Sequence, residues 1–235
     1  MGDRLEVGEG FLLPSAEDHH LRGVLRARPG DRFEVVDGAG RLFAAELRER
    51  GAAEAVELLR EAGTEEQAEI WLYQAVPKGN RMDLLVEKAT EIGVSGITPL
   101  LCERSVVRPG GNKVERWRRI AESAARQALR LRVPEVRGPV TFGEAVREVG
   151  ERGVLLHNGD GLEPLEARAG GARALLVGPE GGWSEGEIEE ALRHGLSLAQ
   201  LGPFRLRSET AGVVAVARMR AVLENGTGSR EQRVT

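Results

Sequence analysis

The sequence predicts an α/β protein in which a parallel-sheet domain follows a small, mostly β domain. Three observations predict it. In the later part, apolar strand-like runs alternate with helical segments, the pattern of a parallel sheet covered by helices. In the first part, short alternating runs separated by Gly-rich turns read as strands. Between them, Ala62-Gly63-Thr64-Glu65-Glu66-Gln67 is polar and suits an exposed linker. The expected domains are residues 1–67 and 68–235.

In the first domain, Ser15 is expected to cap a short helix with Asp18 three positions on. That helix carries His19-His20-Leu21-Arg22 and ends near Arg28-Pro29-Gly30. Residues 32–36 and 41–47 read as strands, and Asp37-Gly38-Ala39-Gly40 supplies the hairpin turn. In the second domain, strands are expected at 70–76, 97–101, 153–157, 173–177 and 197–201. Helices are expected at 81–92, stopped by Gly93, and at 114–131, stopped near Pro134. Thr141 with Glu144 and Ser184 with Glu187 have the spacing of capping boxes, and Gly195 closes the second of these helices. The last helix is expected over 208–223, followed by a polar, frayed tail from Asn225.

With 41% hydrophobic and 30% charged residues, the 235-residue chain can bury a core and stay in solution. Cys102 is the only cysteine, which excludes an internal disulfide framework. The start lacks the apolar run of a signal peptide, and no stretch is apolar enough to span a bilayer. A cytoplasmic protein without membrane or metal partners is expected. His19, His20, His157 and His194 show no metal-ligand spacing. The net charge of −4 hides a local asymmetry. From Glu103 to Arg137 there are ten basic residues against four acidic ones. On the predicted helix Arg116, Arg119, Arg126 and Arg130 share a face with no carboxylate, whereas a solvated face ordinarily mixes signs. Phosphate contact is the favoured reading and a plain solvated face the alternative. Arg22, Arg26, Arg28 and Arg32 form a second, weaker cluster.

Two loops carry the candidate chemistry. Gly178-Pro179-Glu180-Gly181-Gly182-Trp183-Ser184 joins an apolar strand to a capped helix. Ligands of open parallel sheets sit at such strand ends, and glycines let backbone approach them. Read alone, the loop is equally a strand-to-helix turn. It matches neither G-x-x-x-x-G-K-[ST] nor a helix-opening G-x-G-x-x-G, and Glu180 would repel a polyphosphate. A ligand with a positive centre, such as the sulfonium of S-adenosylmethionine, suits a carboxylate better. The second loop runs from Leu201-Gly202 to Leu206-Arg207-Ser208-Glu209-Thr210-Ala211. The helix behind it is apolar on every face and is expected to be buried all round. Ordinary capping explains Ser208 and Glu209 but not an arginine in so apolar a stretch.

Together these loops resemble those of the SPOUT methyltransferases, and within them the family that methylates N3 of a uridine in small-subunit (16S) ribosomal RNA. Lys78-Gly79-Asn80-Arg81-Met82-Asp83, Glu87 to Val94, Glu103-Arg104-Ser105, Ala124-Ala125-Arg126-Gln127 and His20 to Arg26 resemble that family too, in order. Ser208 departs from its more usual Thr, and Ile92 from Leu. The resemblance implies a SPOUT domain with a deep trefoil knot, preceded by a PUA-like β-barrel. It implies S-adenosylmethionine as cofactor, ribosomal RNA or the small subunit as partner, and a homodimer.

On that resemblance, Leu156, His157, Val177, Gly178, Glu180, Gly181, Leu201, Gly202, Leu206, Thr210 and Ala211 would hold the cofactor. Arg22, Arg26, Lys78, Arg81, Arg104, Arg116, Arg126 and Arg130 would meet RNA. Arg207 would stabilise the uracil anion, and Glu209 would orient Arg207 or help to take the proton. Two other functions remain open: ribose 2′-O-methylation by the same fold, and RNA binding without catalysis.

Overall fold

The computed structural model describes residues 5–61 and 69–231. The chain divides into two units. One comprises the described residues up to 61 with Arg130–Val133, and the other comprises the remaining described residues. The linker 62–67 and the boundary expected after it lie outside the described residues.

The first unit is a four-stranded antiparallel sheet in the order β1-β4-β3-β2. Its strands are β1 (Gly10–Leu12), β2 (Arg32–Val36), β3 (Arg41–Leu47) and β4 (Ala52–Glu61). The hairpin of β2 and β3 has the bounds its alternation predicts, and β3 alternates buried and half-buried residues along its length. Helix α1 (Ser15–His19) differs from expectation. Pro14 is its N-cap and no side chain caps it, and the chain continues as a π-helix over His20–Val24. Arg26 follows with a φ of 58°.

The second unit is a seven-stranded sheet with every pairing parallel. Its elements are β5 (Trp71–Ala75), α2 (Arg81–Ile92), β6 (Gly96–Leu101), α3 (Gly111–Gln127), β7 (Glu135–Val136), β8 (Val140–Thr141), α4 (Phe142–Val149), β9 (Gly153–Leu156), α5 (Leu165–Arg168), β10 (Ala174–Val177), α6 (Glu185–Arg193), β11 (Ser197–Ala199) and α7 (Ser208–Glu231). The strand order is β11-β9-β10-β5-β6-β7, with β8 also on β6. The chain builds outward from β5 on one side, then returns to build β9, β10 and β11 on the other. Such a reversal opens a crevice at the carboxyl ends of the strands.

Side chains alternate between two cores. Leu72, Ile97, Val154, Leu156, Leu175 and Val177 face α2, α3, α5 and α7, whose Leu85, Trp117, Leu165 and Val216 pack there. Tyr73, Leu100, Leu155 and Leu176 face α4 and α6 with Phe142, Val146 and Ala191. Both predicted capping boxes are present, at Thr141 with Glu144 and at Ser184 with Glu187. Gly93 ends α2 in the left-handed region at a φ of 107°.

Two helices depart from expectation. α3 ends at Gln127, and Leu129 turns with a φ of 52°, so Arg130 is not on the helical stripe. α7 continues to Glu231 through the stretch expected to fray. It is also not buried all round. Gly212, Ala215, Val216 and Met219 are buried, Val213 and Val214 are half-buried, and Ala217 is exposed.

Candidate active site

The crevice at the carboxyl ends of β9, β10 and β11 holds a cavity of about 920 Å³. That is within the range of about 300–1,000 Å³ usual for small-molecule sites. Of the residues expected to hold a cofactor, Leu156, His157, Val177, Gly178, Glu180, Gly181, Leu201, Gly202, Leu206 and Ala211 line it. Thr210 does not; it is exposed and outside the lining. Other residues line it too: Asn158, Gly159, Asp160 and Gln200, which the sequence did not single out, and Trp183, Phe204, Arg205 and Ser208, which lie in the two candidate loops but were given no cofactor role. The Asn158-Gly159-Asp160 turn was a legible signal, because it too follows an apolar strand and tolerates close backbone approach.

Trp183 organises the first loop. Its Nε1 donates to the Leu156 carbonyl at 2.8 Å, tying the loop after β10 to the end of β9. Its ring packs on Phe142, with centroids 5.3 Å apart. Gly178 lies against that ring, where a Cβ would stand 3.0 Å from Trp183 Cε2. The tryptophan ring thus leaves little room for a Cβ at Gly178. Gly202 is required for another reason. Its φ is +121°, and a Cβ there would meet nothing within 4 Å. The second loop thus leaves open space over its glycine.

Charges around the cavity are shared. Glu180 accepts from the Lys78 backbone N–H at 3.3 Å and faces Arg81 at 3.8 Å. Arg104 donates to the carbonyls of Gly181 and Trp183, each at 3.0 Å. Arg205 donates to the Glu180 carbonyl at 3.4 Å. The two expected catalytic residues are placed otherwise than their sequence context implied. Arg207 is exposed on the cavity wall, whereas Glu209 is buried at 7% exposure. Glu209 does not orient Arg207. Its Oε1 lies 3.7 Å from Arg81 Nε, and its Oε2 has no hydrogen-bond partner among the described residues. Leu206 and Ala211 on either side of Arg207 are half-buried, while Arg207 itself is exposed.

The expected RNA contacts divide similarly. Arg22 is committed to Asp18 at 2.6 Å and to the Arg48 carbonyl. Arg116 meets Asp83 of α2 at 2.7 Å, a carboxylate that the α3 sequence alone does not reveal. Arg26, Lys78 and Arg126 are exposed, and Arg130 is half-buried. Cys102 is buried, which pushes its thiol up to about 12, with nearby Glu187 adding to the shift. It stays a thiol at neutral pH and is no nucleophile. Among the described residues no group of three or more His, Cys, Asp or Glu could hold a metal ion, and no helix is long and apolar enough to cross a membrane.

The cavity's composition tests the cofactor. No Gly-rich phosphate cradle is present. Instead, two carboxylates, Asp160 and Glu180, stand among glycines and apolar strand ends, with Arg104, Arg205 and Arg207 also on the lining. That lining fits an adenosyl ligand with a cationic centre. Fold and site thus define a parallel-sheet α/β protein with a small-molecule site at the carboxyl ends of β9, β10 and β11. Comparison with known proteins narrows this. An RNA methyltransferase domain model matches residues 64–220, and an RNA methyltransferase PUA domain model matches residues 13–58. A ribosomal RNA small subunit methyltransferase E of Synechocystis sp. is 36% identical over 223 residues, covering 91% of this chain and 73% of that protein. That of Aquifex aeolicus is 32% identical, covering 89% of this chain and 93% of its own. The crystal structure of the Neisseria gonorrhoeae relative, bound to S-adenosylmethionine, is 33% identical with a TM-score of 0.79, covering 94% of this chain and 95% of its own. The chain belongs to the ribosomal RNA small subunit methyltransferase E family of RNA methyltransferases.

Proposed function

We propose that the protein methylates N3 of a uridine in small-subunit (16S) ribosomal RNA, using S-adenosylmethionine. The observation that carries this is the cavity at the ends of β9, β10 and β11, lined by ten of the expected cofactor residues, in a chain 33% identical to a relative crystallised with S-adenosylmethionine. Leu156, His157, Val177, Gly178, Glu180, Gly181, Leu201, Gly202, Leu206 and Ala211 would hold it, with Thr210 flanking the site. The cofactor supplies an electrophilic methyl group on a sulfonium, which leaves as a thioether.

The protein's own part is to make N3 a nucleophile. That nitrogen carries a proton at neutral pH and attacks only after losing it. Arg207, exposed on the cavity wall, stabilises the resulting uracil anion. Glu209, with one buried carboxylate oxygen lacking a partner, helps to draw the proton away. The N–H bond breaks, the N3–methyl bond forms, and the methyl–sulfur bond breaks. Arg26, Lys78, Arg81, Arg104, Arg116, Arg126 and Arg130 contribute positive charge towards RNA, and Arg22 shapes its own unit through Asp18.

In the same reading, residues 1–67 close into a PUA-like barrel that guides RNA. Residues 68–235 form the SPOUT domain with its trefoil knot. The protein acts as a homodimer in the cytoplasm, and Val214 of α7, only half-buried and outside the chain's own core, supports a second copy there. The test is methyl transfer to unmethylated ribosomal RNA and to whole small subunits, with nucleosides identified by mass spectrometry. N3-methyluridine is the expected product. A 2′-O-methylated nucleoside would assign the ribose chemistry instead. RNA binding without transfer would leave a binding protein.

A further inference from the structure

We propose that Gln74 is a positioning residue for methyl transfer, fixing the start of α7, and with it Arg207, against the cofactor loop at Gly178. The inference rests on the reading of the cavity as the cofactor site. Gln74 lies on β5 and is 0% exposed. Its Nε2 carries two hydrogens. One goes to the Ala75 carbonyl at 3.0 Å and the other to Ser208 Oγ at 2.8 Å. Ser208 Oγ in turn donates its single hydrogen to the Gly178 carbonyl at 2.7 Å. A hydroxyl that has spent its hydrogen can only accept. The amide is therefore ordered, with nitrogen towards Ser208.

That order has a visible consequence. Gln74 Oε1 is buried with no hydrogen-bond partner among the described residues. Turning the amide over would set Oε1 against the Ala75 carbonyl oxygen, and any hydrogen it took from Ser208 Oγ would be lost to the Gly178 carbonyl. α7 also accommodates this side chain closely. A Cβ at Gly212 would stand 2.4 Å from Gln74 Oε1 and 2.7 Å from Leu85 Cδ1. An apolar residue at 74 would fill a core between strands without leaving an orphaned oxygen. The amide is instead spent on joining three elements: β5, the loop after β10, and the N-terminus of α7. Arg207 is the residue just before Ser208. A shift of this start by about 1 Å is enough to cost on the order of 10²-fold in a reaction that depends on alignment.

Gln74→Leu removes the donor and Gln74→Glu keeps the shape. Single-turnover methyl transfer should fall on the order of tenfold or more in Gln74→Leu, with little change in KM for RNA. Gln74→Glu has a signature that packing alone does not give. Burial keeps its carboxyl protonated over part of the range, and only the protonated form can donate to Ser208. Its rate relative to wild type should therefore fall as pH rises between about 6 and about 9. Adding Gln74→Leu to Ser208→Ala should cost little more than Ser208→Ala alone, because both break one relay. A folded Gln74→Leu that transfers at the wild-type rate overturns the proposal. So does a Gln74→Glu ratio that is flat with pH, or full additivity in the cycle. If Gln74→Leu does not fold, Gln74→Glu carries the test. Failure of both to fold makes Gln74 a packing residue and ends the proposal. Wild-type protein that neither binds S-adenosylmethionine nor transfers methyl overturns the cavity reading and the role of Gln74 with it, whereas an active wild type with an indifferent Gln74 overturns the relay alone.

Discussion

The two glycine loops around the cavity look alike in sequence and are built differently. Residues 178–184 are pinned from several sides: by the Trp183 indole on Leu156, by Arg104 on two carbonyls, by Ser208 on Gly178 and by the Ser184–Glu187 box. Residues 203–207 stand mostly in solvent, with Phe204 at 80% exposure and Arg205 and Arg207 exposed beside it. The first loop is shaped by what it packs on. The second is shaped by one backbone conformation at Gly202 and presents its side chains outward. A rigid wall suits a cofactor that must be held in one pose. An exposed wall with two arginines suits a substrate that arrives from outside.

The largest effect should come from Gly178→Val. Its Cβ would push Trp183 off its seat, so S-adenosylmethionine binding should vanish from calorimetry, with about 1–3 kcal/mol of overpacking seen in the melting curve. Gly202→Ala places its Cβ in open space and bears only the strain of a positive φ, about 1–3 kcal/mol. It should weaken cofactor binding roughly tenfold, the equivalent of about 1.4 kcal/mol. Equal losses in the two variants would break the distinction between the loops.

A smaller effect is expected outside both loops. Arg116→Ala with Arg126→Ala should flatten the salt dependence of RNA binding. Each lost contact to single-stranded RNA lowers the slope by roughly 0.7. Arg116 already holds Asp83, so its share should be the lesser. Cofactor affinity should not move. An unchanged slope in a filter-binding titration would make the α3 face merely solvated.

The smallest effect probes the dry packing behind the first loop, where Cys102 and Trp183 share a core. Cys102 and Tyr73 are each raised to about 12, from ordinary values of 9.0 and 10.0, with burial as the leading cause. Folding holds both protonated while the unfolded chain releases their protons first. Stability is therefore fully present below about pH 9 and is lost as pH rises towards 12. Alkylation of Cys102 at neutral pH should be negligible until the protein unfolds. Rapid labelling of the native protein would show that the first loop is less tightly backed than its hydrogen bonds imply.

What the sequence made legible was local. Helix α2 with its Gly93 stop, the two capping boxes and the β2–β3 hairpin depend on residues within a few positions of one another, and each is present as its pattern predicts. The strand-end loops were legible because apolar runs ended in glycine. Helix α3 was read too long because its arginines continue to 130, while the chain turns at Leu129. The sequence context of Arg207 implied burial, yet the buried polar residues are its neighbours Ser208 and Glu209. Glu209 meets Arg81, more than a hundred residues away, and Gln74 meets Ser208 at a separation of 134. Such partners are set by sheet order, and no periodicity in one segment announces them. Trp183 was visible in the first loop, but its organising role was not, because its partner Leu156 is on another strand.

The most direct test of the division between the loops is single-turnover methyl transfer by Arg207→Ala at saturating RNA and cofactor, with calorimetry of S-adenosylmethionine on the same variant. Arg207 is exposed, so the fold should be kept. Cofactor binding should be retained while transfer falls on the order of 10²-fold or more, as expected for loss of one electrostatic stabiliser. Arg207→Lys should not restore it, because the ammonium lacks the planar fork. A folded Arg207→Ala that binds both substrates and transfers methyl at the wild-type rate would contradict the account.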